Sequence, residues 1–162
     1  MKYLFVLVVF LNLSCKSEKN DPVVLEVHDF AGIAPYLELK DSKTYVVNFW
    51  ATWCAPCVKE LPHFETLQAN YKDSVEVILV SLDFPHQYET KLKPFIQKYN
   101  LKSKVVVLDD PDMNSWIPKV NPQWDGAIPV TIIYNESKRL FYSRTFTYEE
   151  LELELKTFFN NP

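Results

Sequence analysis

The chain is poor in glycine, with only Gly32 and Gly126 against 11 prolines in 162 residues. Its tight turns must therefore be built largely from Pro, Asn, Asp and Ser. Cysteine is almost as scarce, at positions 15, 54 and 57 alone. A four-thiolate metal site would need a second close pair, and His28, His63 and His86 show no matched ligand spacing that could replace it. Positive charge is short as well: 17 Lys and Arg against 21 Asp and Glu leave a net charge of -4. That balance gives no electrostatic case for a nucleic-acid partner. No apolar run approaches the roughly 20 residues that a spanning helix needs, and there is no internal repeat. What is plentiful is apolar surface, 48% of residues with 15% aromatic, enough for one compact domain with its own core.

Residues 1–14 differ from the rest: Lys2, then a mostly apolar stretch from Tyr3 to Leu13, then Ser14. This pattern reads as a signal peptide, with a signal anchor as the alternative. The segment Leu11, Asn12, Leu13, Ser14 followed by Cys15 resembles the lipobox of bacterial lipoproteins, although Asn12 stands where an aliphatic residue is usual. The resemblance implies cleavage before Cys15, acylation of that cysteine and anchoring to a membrane by acyl chains. An ordinary signal peptide would instead leave Cys15 as a free thiol. Residues 15–22 are then a lipidated N-terminus and polar tether, and 23–162 form the folded domain. Lys16 after the cysteine, in place of Asp, favours the outer membrane or periplasmic face within the cell envelope.

Along the domain, Val23–Val27 reads as a short strand, and Gly32 and Pro35 break any long helix that follows. Tyr45–Trp50 is a continuous apolar run with one polar member, Asn48, as expected of a central strand buried on both faces. Cys57, Leu61, Phe64, Leu67 and Tyr71 recur at helical spacing, which predicts a helix ending near Lys72 and kinked at Pro62. Val75–Leu82 and Val105–Leu108 read as further strands. Between them, Tyr88, Leu92, Phe95, Ile96 and Tyr99 mark a helical face, with Pro94 near its start. Asn114–Val120 reads as a short helix, Val130–Tyr134 and Leu140–Ser143 as a hairpin. Thr147 with Glu150 forms a capping box before a closing helix. The whole is an α/β pattern.

The chemistry concentrates at Trp53-Cys54-Ala55-Pro56-Cys57, where the central strand gives way to a helix. A cysteine at a helix N-terminus faces unpaired N–H groups and the positive end of the helix dipole, both of which favour thiolate. Cys54 is the expected nucleophile, with Cys57 one turn deeper as the resolving thiol. A structural staple is the competing account, but so small a loop restrains the unfolded chain little.

The segment Val46 to Cys57 resembles the active-site segment of thioredoxin-fold proteins, in particular the exported, membrane-tethered thiol-disulfide oxidoreductases of the TlpA/ResA group. The resemblance covers about residues 24–160. It implies a thioredoxin-like three-layer fold with a central mixed sheet flanked by helices. It also implies protein thiols and disulfides as substrates, a membrane-bound electron donor as partner and no cofactor. Ile128-Pro129 resembles the family's cis-proline loop, which offers backbone groups to substrate, while a trans proline opening a strand is the plain alternative. Val130 departs from the Thr often found after that proline, with Thr131 one place later, so the groove surface is expected to differ. Asn48 stands where thioredoxins carry a buried aspartate, and Glu60 resembles the glutamate that the ResA group uses near its cysteines. Glu60 is thus a candidate for moving the proton of Cys57, against a plain solvated residue near a helix start. Trp53 is expected at the rim of the substrate site. Trp124 either lines the groove or packs nearby, and His63 and His86 read as surface residues.

Two other activities on related scaffolds compete with a reductase. A peroxiredoxin-like peroxidase carries Pro and Thr seven and three places before its cysteine, places held here by Val47 and Ala51. A copper chaperone is marked by a three-residue cysteine spacing and a distal histidine, whereas two residues intervene here and only His86 is a loose candidate.

Overall fold

The computed structural model describes residues 22–159. The chain runs β1 (Glu26–His28), α1 (Phe30–Ile33), β2 (Thr44–Trp50), α2 (Ala55–Asn70), β3 (Val75–Ser81), α3 (Lys93–Tyr99), β4 (Lys104–Leu108), α4 (Met113–Val120), β5 (Val130–Tyr134), β6 (Arg139–Tyr142) and α5 (Tyr148–Phe159). One mixed sheet has the order β1-β4-β3-β2-β5-β6. The first four are parallel to one another, while β5 runs antiparallel to β2 and pairs with β6 in a hairpin.

All seven residues of β2 are buried, which fits its unbroken apolar run and its place between β3 and β5. Strand alternation sends Val46, Asn48 and Trp50 to one face and Tyr45, Val47 and Phe49 to the other. The first face packs on Leu61, Phe64 and Leu67 of α2 and on Leu151, Leu155 and Phe158 of α5. The second packs on Ile33 of α1, Trp116 of α4 and Trp124. The sheet thus lies between two apolar layers, as the thioredoxin-like fold requires.

Three details differ from the sequence pattern. The first strand lies later than Val23–Val27, because its register is set by β4, with Glu26 opposite Val106 and His28 opposite Leu108. Helix α2 runs on through Pro62 and ends at Asn70, two residues short of Lys72. Before α3, the chain makes a 3-10 turn at Pro85–Gln87 and then a π-helical turn at Tyr88–Leu92, closed by the Lys93 N–H to the Tyr88 carbonyl. Pro94, in the first turn of α3, has no N–H to give and its ring crowds the carbonyl four residues back, so the preceding turn widens. The capping box at the start of α5 forms reciprocally: the Thr147 N–H donates to Glu150 Oε2 at 2.9 Å, and the Glu150 N–H to Thr147 Oγ1 at 3.3 Å. No helix among the described residues is long and apolar enough to cross a membrane. Residues 1–14 and Cys15 lie outside the described residues.

Candidate active site

Helix α2 begins immediately after Cys54, which adopts the extended backbone of an N-cap (φ -90°, ψ 97°). Its sulfur accepts the Cys57 N–H at 3.3 Å, so one of the helix's unpaired donors already points at Sγ. Pro56 falls in the first turn, where its missing N–H costs nothing. Cys54 and Cys57 are joined as a disulfide. Cys54 keeps 6% exposure and Cys57 none, so Cys54 is the more accessible of the two.

Strand β5 is antiparallel to β2, with Val130 opposite Phe49, and this pairing carries the preceding loop alongside the cysteines. The Ile128-Pro129 peptide bond is cis, and the Ile128 carbonyl oxygen lies 3.7 Å from Cys54 Sγ. Thr131 faces inward and is fully buried, accepting from Asn48 Nδ2 at 3.1 Å. Its hydroxyl therefore serves the core under the site rather than the groove surface. Trp53 is half exposed and stacks on Phe84, ring centroids 6.1 Å apart, and Phe84 stacks in turn on His86 at 5.8 Å. A groove of about 400 Å³ opens beside them, lined by Trp53, Phe84, Met113, Trp116 and Ile128. Trp124 takes the packing role: it is buried against Phe49 and Trp116, and its indole N–H donates to the Ala127 carbonyl at 2.7 Å.

Glu60 is 2% exposed and lies on the α2 face turned to the sheet. Asn48 Nδ2 donates to its Oε1 at 3.0 Å and the Phe146 N–H to its Oε2 at 2.8 Å. Burial raises its pKa to about 7, against the opposing pull of the Phe146 N–H, the Asn48 amide and the Arg144 charge. The carboxyl also borders a cleft of about 410 Å³ that Lys59, His63 and Thr145 line from outside. Glu60 is therefore not a solvated residue; it is a buried acid poised near neutrality, three residues along the helix from Cys57. Among the described residues, no group of three His, Cys, Asp or Glu side chains is placed to hold a metal ion.

Two contributors escaped the motif reading. Phe146 supplies a backbone N–H across 86 residues of sequence, a contact with no local signal. Asp83 accepts from the Thr52 N–H at 3.0 Å and so holds the turn before Cys54; an aspartate closing the strand run Val75–Leu82 was its only trace.

The AhpC/TSA family profile matches residues 33–143, more than half of the chain. The chain belongs to the AhpC/TSA family. A protein named thiol-disulfide oxidoreductase ResA from Halalkalibacterium halodurans is 30% identical over 135 residues, 83% of this chain and 72% of the relative. Another of that name from Bacillus cereus is 40% identical over 74 residues, and there the match spans only 41% of the relative's length. A solved thioredoxin-related protein from Neisseria meningitidis superposes with a TM-score of 0.62 at 21% identity, covering 75% of this chain and 88% of the other. Within this AhpC/TSA protein the Cys54–Cys57 pair and the named relatives agree, and it is an enzyme of the thiol-disulfide oxidoreductase class.

The position of Glu60 sets a pH dependence. Its folded pKa of about 7 lies above the ordinary 4.5, so its contribution to stability is fully present below pH 4.5 and is lost as pH rises through 7. The loss amounts to roughly 3 kcal/mol at full ionisation. Glu60→Gln should remove that slope, since an amide does not titrate, and the partnerless Oδ1 of Asn48 is available to accept from the new NH2. Urea unfolding of both proteins at pH 5 and pH 8 checks this; equal pH slopes would contradict the burial argument.

Proposed function

We propose that the protein is an exported, lipid-anchored reductant of protein disulfides that works through a mixed disulfide. The observation that carries this reading is the asymmetry of the pair: Cys54 caps the helix beside the Ile128 carbonyl, and Cys57 is wholly buried beneath it. In the reduced enzyme the Cys54 thiolate attacks one sulfur of a substrate disulfide. A Cys54–substrate S–S bond forms, the substrate bond breaks, and its second sulfur leaves with the electron pair and takes a proton. Cys57 then gives up its proton and attacks Cys54 Sγ, releasing the remaining substrate thiolate. Two electrons have passed to the substrate, and the enzyme is left as the disulfide seen here.

Glu60 is assigned the Cys57 proton, since a carboxyl near pH 7 divides its population between acid and base. Asn48, which cannot take a proton, holds that carboxylate by hydrogen bond instead. Trp53, Ile128 and Pro129 are assigned to substrate docking, with Ile128 and Pro129 presenting main chain to an extended peptide beside Cys54. Reduction of the spent enzyme calls for a membrane-bound donor, in keeping with an anchor at Cys15. The relatives' names support the thiol-disulfide chemistry in this reading. The peroxidase alternative lacks its motif, because Val47 and Ala51 stand where Pro and Thr would be needed.

In cells, Cys57→Ser should accumulate alkylation-stable mixed disulfides with envelope proteins through Cys54, and Cys54→Ser should accumulate none. Equal trapping by the two variants would refute the assigned roles. Cys15→Ser should move the protein from the membrane to the soluble fraction; retention at the membrane would remove the lipid anchor from the account.

A further inference from the structure

A second carboxylate is buried against the turn that leads to the cysteines. Asp83, just past the end of β3, is 2% exposed. Its oxygens accept from the Thr52 N–H at 3.0 Å, from the Thr52 hydroxyl, and from the Ser81 hydroxyl at 2.9 Å. Ser81 Oγ in turn accepts the Asp83 N–H at 3.1 Å. Every one of these partners is neutral, and among the described residues no Lys, Arg or His forms an ion pair with Asp83. Burying a carboxylate without a cation is costly, and both oxygens are met by donors, the arrangement that suits a charged group. Thr52 lies two residues before Cys54, in a turn closed by the Cys54 N–H to the Ala51 carbonyl at 3.1 Å.

We propose that Asp83 is a positioning residue of the cysteine pair: it clasps the Thr52 turn and brings a carboxylate to the turn that carries Cys54, which makes the dithiol a stronger reductant. The proposal rests on the thiol-disulfide reading above. Oxidation of the pair forms one S–S bond and passes two electrons to a substrate disulfide, which becomes two thiols. Of the two protein states, only the reduced one can carry a charge on Cys54. A neighbouring carboxylate therefore raises the free energy of the thiolate and leaves the neutral disulfide untouched. It opposes the helix terminus and the Cys57 N–H, which pull the other way. The other charged and titratable groups at this end are Tyr88, Asp109, Asp110 and His86 on the Asp83 side, and Glu60, Lys59, His63 and Glu150 across α2. Of these, Glu60 is pushed up to about 7 by its burial.

The test compares the wild type with Asp83→Asn, which keeps the shape and removes the charge, and with Thr52→Val, which removes a clasp and keeps the charge. Each is made also in a Glu60→Gln background, so that Glu60 does not blur the titration. Thiolate absorbance reads the Cys54 pKa, and equilibration with glutathione reads the potential. Asp83→Asn should lower the Cys54 pKa by roughly one unit and shift the equilibrium about tenfold toward dithiol, near 30 mV. That shift should vanish below the variant's Cys54 pKa and level off above the wild-type value. Thr52→Val should leave the Cys54 pKa near the wild type. Loss of thermal stability in Asp83→Asn with neither pKa nor potential moved would reduce Asp83 to a structural role and overturn the proposal. Should that variant fail to fold, the wild type alone decides: Cys54 is expected to titrate at about 7 or above, and any clearly lower value, toward the roughly 3.5 of strong oxidants, overturns it. If the unaltered protein fails to reduce a protein disulfide such as insulin, the thiol-disulfide reading itself fails, whatever Asp83 does.

Discussion

The site depends on β2 being buried on both faces, because a strand with no solvent side has no freedom to slip. Moving it by one residue would exchange Val46, Asn48 and Trp50 with Tyr45, Val47 and Phe49 between two differently filled layers. With that register held, three things arrive together at the strand's C-terminal end. Helix α2 starts at a defined point and puts Sγ of Cys54 at its cap. Strand β5, paired to β2, sets the Ile128 carbonyl beside that sulfur. Asn48, the one polar residue of the strand, meets Glu60 and Thr131 beneath it.

The electrostatics follow from the same frame. A neutral disulfide at a helix N-terminus is flanked by two buried carboxyl groups with different surroundings. Glu60 has an amide and a main-chain N–H for partners, borders a cleft and is raised toward neutrality, so it can exchange a proton. Asp83 is held by donors on both oxygens and grips the backbone of the turn itself. We assign the first to moving a proton and the second to bracing the turn, an assignment that rests on their different surroundings.

Much of this was legible in the chain. The helix that follows Cys54, the hairpin and the closing helix follow from periodicity and caps, and the cysteine pair announces itself by spacing. The proline at 129 and the acid at 60 were readable only through likeness to a known family. What stayed hidden was long-range. No pattern near Glu60 reveals that Phe146 will donate to it, and nothing near Thr52 points to Asp83, 31 residues away. The π turn before Pro94 was hidden for a different reason: helical spacing marks which face is apolar, not how many residues close the turn.

The central claim is that Cys54 and Cys57 form a reducing dithiol. A redox titration of the soluble domain against glutathione, with the dithiol and disulfide forms separated by alkylation, tests it most directly. The account predicts a potential toward the thioredoxin end of the range, about -270 mV. A value of about -150 mV or above, toward the strong oxidants, would contradict it.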